Sequence, residues 1–455
     1  MRFLIDRQTI NDLELFHKKG NDKSVFALFN YTNTTGGKKQ LEFIFTNPLT
    51  DIDLIEQRVQ NLRYFQSFSI GFKLEKECFD AIEYYFTQKN IPYKFSLSGS
   101  LIKAIKYKIR QGNEYYIIQR GIKLLIRLLN DIYKTVKDID TENLPDYIRD
   151  CRIKILDLID NTSLKIILGL KERKKLNPFE IGKLDYFFRN IEVNKVKEIL
   201  EIIYQFDAFQ SIVFASNKNG FSLPTFTNEL NFYQVEGLFH PFLEDPILNK
   251  FEFEFGRNVC FLTGPNMAGK STFLKSLSIS LYLSHLGFPV PATNLKTSIF
   301  NGLLTTINLS DNINNGYSHF YSEVLRVKYV AEQINQIGNI FIVFDEIFRG
   351  TNVKDAYEAS LAVITSFSKL NNSVFAVSTH VIEVAQKLKE NNSIFFKCFG
   401  ANMLNGIPHY SYVIKDGVTD ERIGMYILEK EKVLETIEMA NGKKMSIENG
   451  ECPHS

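Results

Sequence analysis

The 455-residue sequence predicts an α/β domain in its C-terminal half and a mostly α-helical domain before it. Between residues 51 and 209, apolar side chains such as Ile55, Val59 and Leu62 recur at helical spacing. After about residue 217, short and continuously apolar segments alternate with stretches of helical character. Because the strands of a parallel sheet are covered on both faces by the helices that connect them, this alternation predicts a parallel sheet.

A turn-rich segment at residues 217–224 separates the two halves, so we place the domains at 1–225 and 226–455. Residues 1–45 are mixed, and Gly36-Gly37 predicts a turn there. The apolar runs of the second half predict strands at Val259–Thr263, Gly302–Ile307, Ile340–Phe344, Val374–Ser378 and Ile394–Phe399. The stretches between them predict helices at Lys270–His285, Phe320–Gln336, Val353–Ser368 and Val381–Lys389.

Charge and composition exclude several classes of protein. The chain has 54 Lys and Arg against 52 Asp and Glu, a net charge of +2, and 44% apolar residues. That balance excludes a wholly disordered chain and a protein held on nucleic acid by net charge alone. Five scattered cysteines without a C-x-x-C motif argue against a disulfide framework or a structural zinc site. Without a signal peptide or an apolar run of about 18 residues, we expect a cytoplasmic protein that does not cross a membrane.

The strongest motif in the sequence has the pattern G-x-x-x-x-G-K-[ST] and fits it at every fixed position. It follows a predicted strand and opens a predicted helix, so that backbone amides and the helix N-terminus can surround a phosphate. We therefore predict a P-loop NTPase fold, with Lys270 on the β- and γ-phosphates and the Ser271 hydroxyl on Mg²⁺. The candidate binding residues are Gly264, Pro265, Asn266, Met267, Ala268, Gly269, Lys270, Ser271 and Thr272.

Two adjacent acids follow the apolar run at 340–344 and would emerge at the carboxyl end of that strand. Asp345 is the predicted Mg²⁺ carboxylate, bound to the metal either directly or through one of its ligands, and Glu346 is the predicted general base for an attacking water. Two acids at a strand end can also be no more than solvated side chains; the P-loop favours the functional interpretation. His380 follows a neighbouring strand, and we expect it to contact the γ-phosphate rather than to be a surface histidine.

These motifs resemble those of the MutS DNA mismatch repair ATPases. The pair Asn266-Met267 is specific to that family's P-loop, and residues 345–352 (DEIFRGTN) are similar to its D-E-I-G-R-G-T-S. Further resemblances are the strand-end Thr379-His380, the signature-like segment 311–323 and His240-Pro241. The resemblance implies an ATPase domain of ABC type that uses ATP and Mg²⁺. It also implies a dimer in which Ser318 contacts the partner's nucleotide.

The resemblance extends to the N-terminal half, where Ile5-Asp6 and residues 12–15 are similar to the start of the family's core and lever domain. It implies dimer helices at 420–438. Phe348 and Ala268 stand where the family has glycine, and Phe348 could slow hydrolysis. We also expect neither the mismatch-reading domain and connector nor a full DNA clamp or nuclease-like tail, which puts mismatch sensing in doubt.

A basic stretch between residues 99 and 130 is the candidate DNA-binding surface. Lys103, Lys106 and Arg110 fall on one helical face with tyrosines interleaved, and residues 171–175 form a second basic cluster. Such clusters can neutralise phosphates, although a solvated helix face explains most basic runs.

Two functional hypotheses remain open. The first is a homodimeric, DNA-binding ATPase of MutS type that acts on mismatched or irregular DNA, with possible repair-protein partners. The second is an ATP-gated adaptor that binds a protein partner or branched nucleic acid, with slow hydrolysis. An SMC-like ATPase is a more distant alternative, because no long heptad coiled coil is present.

Overall fold

The computed structural model describes residues 2–16, 23–68, 75–88, 113–170, 176–253, 256–307, 319–404, 407–419 and 430–437. Several predicted sites therefore lie outside the described residues: Lys103, Lys106 and Arg110, the basic cluster at 171–175, Ser318, and most of the dimer segment 420–438. The predictions for them remain predictions.

Contacts between residues divide the chain into two compact units. Unit 1 comprises Met1–Phe3, Glu14–Thr227 and Ser280–Leu295; unit 2 comprises Leu4–Leu13, Asn228–Ile279 and Lys296–Ser455. The predicted boundary at 225/226 lies close to Asn228, where unit 2 resumes. Leu4–Leu13, however, belong to unit 2, although they resemble the start of a core domain.

The first part of the chain is helical. Its helices are α1 (Arg7–Asp12), α2 (Val25–Phe29), α3 (Thr35–Thr46), α4 (Ile52–Ser67), α5 (Lys76–Thr87), α6 (Asn113–Asp138), α7 (Asp146–Asp160), α8 (Pro178–Tyr186) and α9 (Val193–Asn219). A 3₁₀ segment at Ser163–Gly169 and a π-helical turn at Phe187–Ile191 lie between them. The helical pattern predicted for 51–209 is thus confirmed for the described residues.

Capping side chains explain where these helices begin. Asp51 accepts hydrogen bonds from the amides of Asp53 and Leu54 at the start of α4. Thr34 does the same for Gly37 at the start of α3. The turn predicted at Gly36-Gly37 is therefore wrong, because both glycines lie in the first turn of α3.

Helix α9 is the central helix of unit 1. Its buried residues include Phe206 and Phe209, which contact the ring of Phe65 on α4. The fully buried Asp207 carboxylate accepts hydrogen bonds from the Thr34 amide at 2.8 Å and the Thr34 hydroxyl at 2.7 Å. Since a buried carboxylate is stable only when it is bonded, this contact ties α9 firmly to the start of α3.

The second part of the chain alternates strands and helices. The strands are β1 (Thr225–Phe226), β2 (Tyr233–Leu238), β3 (Asn249–Glu252), β4 (Val259–Thr263), β5 (Asn294–Thr297), β6 (Gly302–Thr306), β7 (Ile340–Phe344), β8 (Val374–Ser378), β9 (Ile394–Leu404) and β10 (Ile407–Asp416). The helices are α10 (Lys270–His285), α11 (His319–Ile337), α12 (Val353–Phe367) and α13 (Ile382–Leu388).

A six-stranded sheet with the order β10-β9-β4-β8-β7-β6 forms the centre of unit 2. All its neighbours pair in parallel except β10, which is antiparallel to β9. Every residue of β4, β7 and β8 is buried. The predicted parallel sheet, covered on both faces, is confirmed. The register places the ends of β4, β7 and β8 at one edge, since Leu262 pairs with Ser378 and Phe344 with Val377.

The N-terminal segment Leu4–Leu13 pairs with the edge of this sheet. The Leu4 amide donates to Asn301 O at 2.8 Å, and the Leu303 amide donates to Leu4 O at 2.9 Å. The carboxylate of the buried Asp12 accepts from the Thr305 hydroxyl at 2.8 Å and from the Ile307 amide at 2.9 Å. Residues far apart in sequence thus join at the end of β6, which explains why Leu4–Leu13 belong to unit 2.

None of the helices in the described parts of the chain combines the length and apolar character needed to cross a membrane.

Candidate functional site

The loop between β4 and α10 has a backbone that glycine makes possible. Gly264 and Gly269 have φ angles of +148° and +101°, and Met267 is left-handed with φ +67°. A Cβ atom on Gly264 would lie 2.7 Å from Phe399 O, so no larger residue fits there. Ala268 is buried, so the alanine that replaces a family glycine is accommodated.

Helix α10 begins at Lys270, directly after this loop, and its first turn holds no acidic residue. The first amides of a helix have no partner within the helix and carry the positive end of its dipole. The loop and the helix start therefore form a concave backbone surface suited to an anion.

Lys270 is folded back over the loop. Its Nζ donates to Gly264 O at 2.8 Å and to Pro265 O at 3.1 Å, and the residue is only 5% exposed. Burial lowers the pKa of Lys270, whereas the charges of Glu346 and Asp345 act in the opposite direction. A buried ammonium held by two neutral carbonyls can pair with an incoming anion.

Asp345 directly follows β7 and is held by hydrogen bonds of both its backbone and its side chain. Its amide donates to Thr306 O at 2.9 Å, and its carboxylate oxygen Oδ1 accepts from the Ser378 hydroxyl at 2.6 Å. The strand-end position predicted from sequence is thus observed. The contact with Ser378 could not be expected, because 33 residues separate the partners in the chain.

Glu346 and His380 form a direct contact. His380 Nε2 lies 2.6 Å from Glu346 Oε1, and Arg349 Nη1 lies 3.5 Å from Glu346 Oε2. The hydrogen bond with His380 is the main cause that lowers the pKa of Glu346; burial opposes it, and the charges of His380, Arg349 and Lys270 add to it. Glu346 is therefore ionised at neutral pH, the state that a general base requires.

The backbone after Glu346 is strained. Glu346 and Phe348 both have φ of +58°, in the left-handed region that side chains other than glycine seldom adopt. The buried Glu323 carboxylate on α11 accepts from the amides of Arg349 and Gly350, each at 3.2 Å. Sequence inspection missed this role of Glu323. The available signal was its position as the last residue of the signature-like segment 311–323.

Phe348 lies beside the two strand-end acids, since it lines a small cavity together with Asp345 and Glu346. It is 3% exposed and packs in the apolar core, with its ring centroid 5.7 Å from that of Phe320. Its bulk is therefore taken up by the core. The expectation that it slows hydrolysis remains a prediction.

A cavity of about 640 Å³ opens beside the loop, within the usual size range of small-molecule sites. Glu346, His380 and Lys270 line one part of it. Its lining also includes the apolar or aromatic side chains of Leu243, Ile247, Phe399 and Tyr412 and the acidic side chains of Glu244 and Asp245. Asp345 instead lines a small neighbouring cavity with Glu346 and Glu323.

Tyr412 is held over the loop by a bulge in β10. The register of β10 shifts between Tyr410 and Ile414, and Tyr412 has φ +54°. Asn249 fixes this bulge, because its side chain donates to Tyr412 O at 3.0 Å and accepts from the Ile414 amide at 2.8 Å. The Tyr412 ring lies 3.4 Å from the position of a Cβ on Gly269, so it forms a wall directly above the loop.

The donor set fits a metal that is shared with a phosphate rather than one enclosed by protein. Within the described residues, no group of three His, Cys, Asp or Glu side chains could hold a metal ion. Mg²⁺ in nucleotide sites commonly has only one or two protein ligands, the remainder being phosphate oxygens and waters. Ser271 and Asp345 are the residues that could provide them.

Comparisons with known proteins agree with the motifs. Residues 260–448 match the family model of MutS domain V. The chain is 27% identical to the DNA mismatch repair protein MutS of Halalkalibacterium halodurans, over 68% of the chain and 37% of that protein. It is 25% identical to MutS of Staphylococcus aureus, over 96% of the chain and 51% of that protein, and 26% identical to MutS of Listeria welshimeri, over 57% and 32%.

The chain thus spans about half the length, or less, of these relatives. The similarity nevertheless extends over nearly the whole chain, with the glycine loop and the strand-end acids inside the region that the family model matches. The resemblance inferred from the motifs is confirmed: residues 260–448 match MutS domain V, and the similarity to MutS proteins at about 25% identity extends over nearly the whole chain.

Proposed function

We propose that this protein is a P-loop ATPase of MutS type that binds and hydrolyses ATP with Mg²⁺. The observation that carries the proposal is the arrangement around one cavity. The glycine loop at the start of α10, the buried Lys270 and the Glu346–His380 pair all line it. This arrangement provides both parts of a nucleotidase: a phosphate-binding loop and an ionised acid.

Binding of the phosphates would use groups that the loop already presents. Backbone amides of Gly269 to Thr272 would donate to phosphate oxygens, and Lys270 would exchange its two carbonyl partners for the β- and γ-phosphates. The apolar and aromatic side chains of the lining, Tyr412 among them, suit the flat face of a purine. Ser271 and Asp345 would hold Mg²⁺, which would neutralise part of the negative charge of the phosphates.

Hydrolysis would use Glu346 as the general base. Its carboxylate is ionised at neutral pH, as the hydrogen bond with His380 lowers its pKa further, so it carries no proton and can accept one from water. His380 would hold Glu346 in place through Nε2 and contact the γ-phosphate from the end of β8. Lys270 would neutralise charge that develops on the phosphate.

The remaining parts of the proposal rest on the relatives, which are DNA mismatch repair proteins. Residues 226–455 would be the ATPase domain, and 1–225 the core and lever domain that carries ATP-dependent motion to DNA. Two copies would sandwich the nucleotides, with Ser318 of one contacting the nucleotide of the other and residues 420–438 adding contacts. Lys103, Lys106 and Arg110 would contact DNA phosphates, and binding would respond to mismatched or otherwise irregular DNA.

The test of the ATPase site uses two variants and one control. Lys270→Ala should weaken ATP binding more than about tenfold, because a buried ammonium loses its phosphate contacts. Glu346→Gln should bind ATP normally and hydrolyse it about 100-fold or more slowly, since it cannot take up a proton. Calorimetry would measure binding, and phosphate release would measure turnover.

Lys275→Ala is the matched control, because Lys275 lies on the same helix one turn beyond the loop. It should bind and hydrolyse ATP as the unaltered protein does. Turnover by Glu346→Gln at the normal rate would show that the base is another group. Unchanged ATP affinity in Lys270→Ala would remove the proposed phosphate site.

A further inference from the structure

Ser378 lies at the end of the sheet and contacts both acids of the proposed site, Asp345 and Glu346. It is the last residue of β8, which lies between β4 and β7, and it is fully buried. Its strand neighbours lead directly into the glycine loop on one side and to Asp345 on the other.

Ser378 bonds to three successive residues of the neighbouring loop. Its hydroxyl donates to Asp345 Oδ1 at 2.6 Å and accepts from the Glu346 amide at 2.9 Å. Its carbonyl accepts from the Ile347 amide at 3.2 Å. Since a hydroxyl has one hydrogen and two lone pairs, it makes the first two bonds at the same time without conflict.

The bond to the Glu346 amide matters because Glu346 is strained. Its left-handed φ of +58° costs free energy and persists only if surrounding groups hold it. The Ser378 hydroxyl is one such group. From this backbone position the Glu346 carboxylate reaches His380.

The bond to Asp345 fixes the second acid. With Oδ1 engaged by Ser378, rotation of the carboxylate about its side-chain bonds is restricted, and Oδ2 is left to face other ligands. One hydroxyl thereby sets the orientation of the predicted Mg²⁺ carboxylate and the backbone of the predicted base together.

We propose that Ser378 is a positioning residue for ATP hydrolysis: its hydroxyl holds the Asp345 carboxylate and the Glu346 backbone in one geometry. The inference rests on the proposed function. It predicts that loss of the hydroxyl lowers turnover and the Mg²⁺-dependent gain in ATP affinity, while the glycine loop still binds ATP.

The chain offers a matched control just before the other end of β8. Ser373 directly precedes β8 at the opposite edge of the sheet and is also fully buried. Its hydroxyl likewise accepts from a backbone amide, that of Ile340 at 3.2 Å, and donates to Asn372 O at 2.7 Å. Ser373→Ala therefore removes comparable bonds far from the two acids.

The experiment measures kcat, KM and the ratio of ATP affinities in Mg²⁺ and in EDTA. Ser378→Ala should lower kcat by roughly 10- to 100-fold, as expected for a lost hydrogen bond to a charged group, with KM changed less than about threefold. In Ser378→Ala, the ratio of the ATP affinity in Mg²⁺ to that in EDTA should fall several-fold. Ser373→Ala should have a kcat within about twofold of the unaltered protein and the same affinity ratio. This should hold even if the two variants lose similar thermal stability.

Equal kcat values in the two alanine variants would overturn the role of Ser378. If Ser378→Ala does not fold, Ser378→Cys replaces it, because a thiol occupies the site but is a weak donor. Full kcat and an unchanged affinity ratio in Ser378→Cys would overturn the inference. An unaltered protein that does not bind ATP would instead refute the proposed function, and the role of Ser378 with it.

Discussion

Phe348 combines two properties that seldom occur together. It occupies the position of a glycine in the similar family motif, has φ +58°, and is 3% exposed in the apolar core. The left-handed backbone favours glycine, whereas the surrounding core favours a large apolar side chain. Burial of an aromatic ring stabilises the folded state by several kcal/mol, whereas backbone strain at one residue costs about 1–2 kcal/mol. Phenylalanine at this position is therefore stabilising on balance.

These magnitudes predict that glycine is more stabilising than alanine at position 348, the reverse of the usual order. Phe348→Ala and Phe348→Gly should both reduce the free energy of unfolding, by roughly 3–5 kcal/mol for the alanine. The glycine variant should be the more stable of the two by about 1 kcal/mol, because only alanine retains the strain. Denaturant unfolding monitored through unit 2 would measure the difference.

Ile347 provides the control, because it is buried next to Phe348 and does not have a left-handed backbone. There the usual order should hold, with alanine more stable than glycine. The same order at both positions would show that the strain at Phe348 contributes nothing measurable.

At the residue scale, the motifs predicted where the candidate groups lie in the fold but not all of their contacts. The positions of Lys270, Asp345, Glu346 and His380 follow from motifs, because phosphate and proton chemistry needs those groups at strand ends. The bonds that Ser378 makes with the two acids could not be predicted. They join separate strands, and only the register of β7 with β8 brings them together.

At the scale of elements, helix α1 is the least expected. Its Thr9 hydroxyl accepts from the Thr305 amide at 2.9 Å, and Asp12 bonds both Thr305 and Ile307. Arg326 on α11 forms an ion pair with Asp6, and its Nη2 donates to Thr305 O at 2.6 Å. The first helix therefore fixes the end of β6, the strand whose Thr306 carbonyl holds the Asp345 amide.

This arrangement predicts that Asp12→Ala destabilises the edge of the sheet although it lies about 290 residues away in sequence. The Thr305 hydroxyl and the Ile307 amide would each lose a buried partner, a cost of roughly 2–4 kcal/mol in total. Hydrogen–deuterium exchange of the β6 peptide should accelerate.

Arg7→Ala is the control, since Arg7 lies on the same helix and is exposed. It should change stability by less than about 0.5 kcal/mol and leave the exchange of β6 unaltered. If hydrogen–deuterium exchange of β6 is as slow in Asp12→Ala as in the unaltered protein, the stability of the strand does not depend on α1.

Strands were most clearly predictable where burial is complete. The runs at β4, β7 and β8 are apolar throughout, as central parallel strands require. Strand β10 was missed because it mixes polar and aromatic residues and contains Pro408 near its start. Proline is tolerated there because β10 is at the edge of the sheet.

At the scale of the whole molecule, MutS-type function predicts a response to ATP that depends on two copies. The Glu346→Gln variant in ATP should elute at twice the mass it has without nucleotide, because bound ATP is not removed. In competition gel shifts, mismatched or branched duplexes should then displace homoduplex DNA from it. Size-exclusion chromatography with light scattering would measure the mass.

Charge reversal at Lys103, Lys106 and Arg110 is the accompanying variant. It should weaken DNA binding and flatten its dependence on salt while ATP hydrolysis is retained, because fewer counterions are released. ATP-dependent dimers without any DNA binding would favour the adaptor hypothesis instead. Equal affinity for all three DNA forms would argue against recognition of irregular DNA.

The sequence by itself determined the two-part organisation, the buried parallel strands and the resemblance to the MutS family, because each depends on residue types at fixed local spacing. Tertiary structure decided what local spacing cannot express. It assigned Leu4–Leu13 to unit 2, placed Tyr412 over the glycine loop, and joined Ser378 to Asp345 and Glu346. These features depend on hydrogen bonds between segments distant in the chain, and such bonds form only once the strand order and register bring their partners within reach.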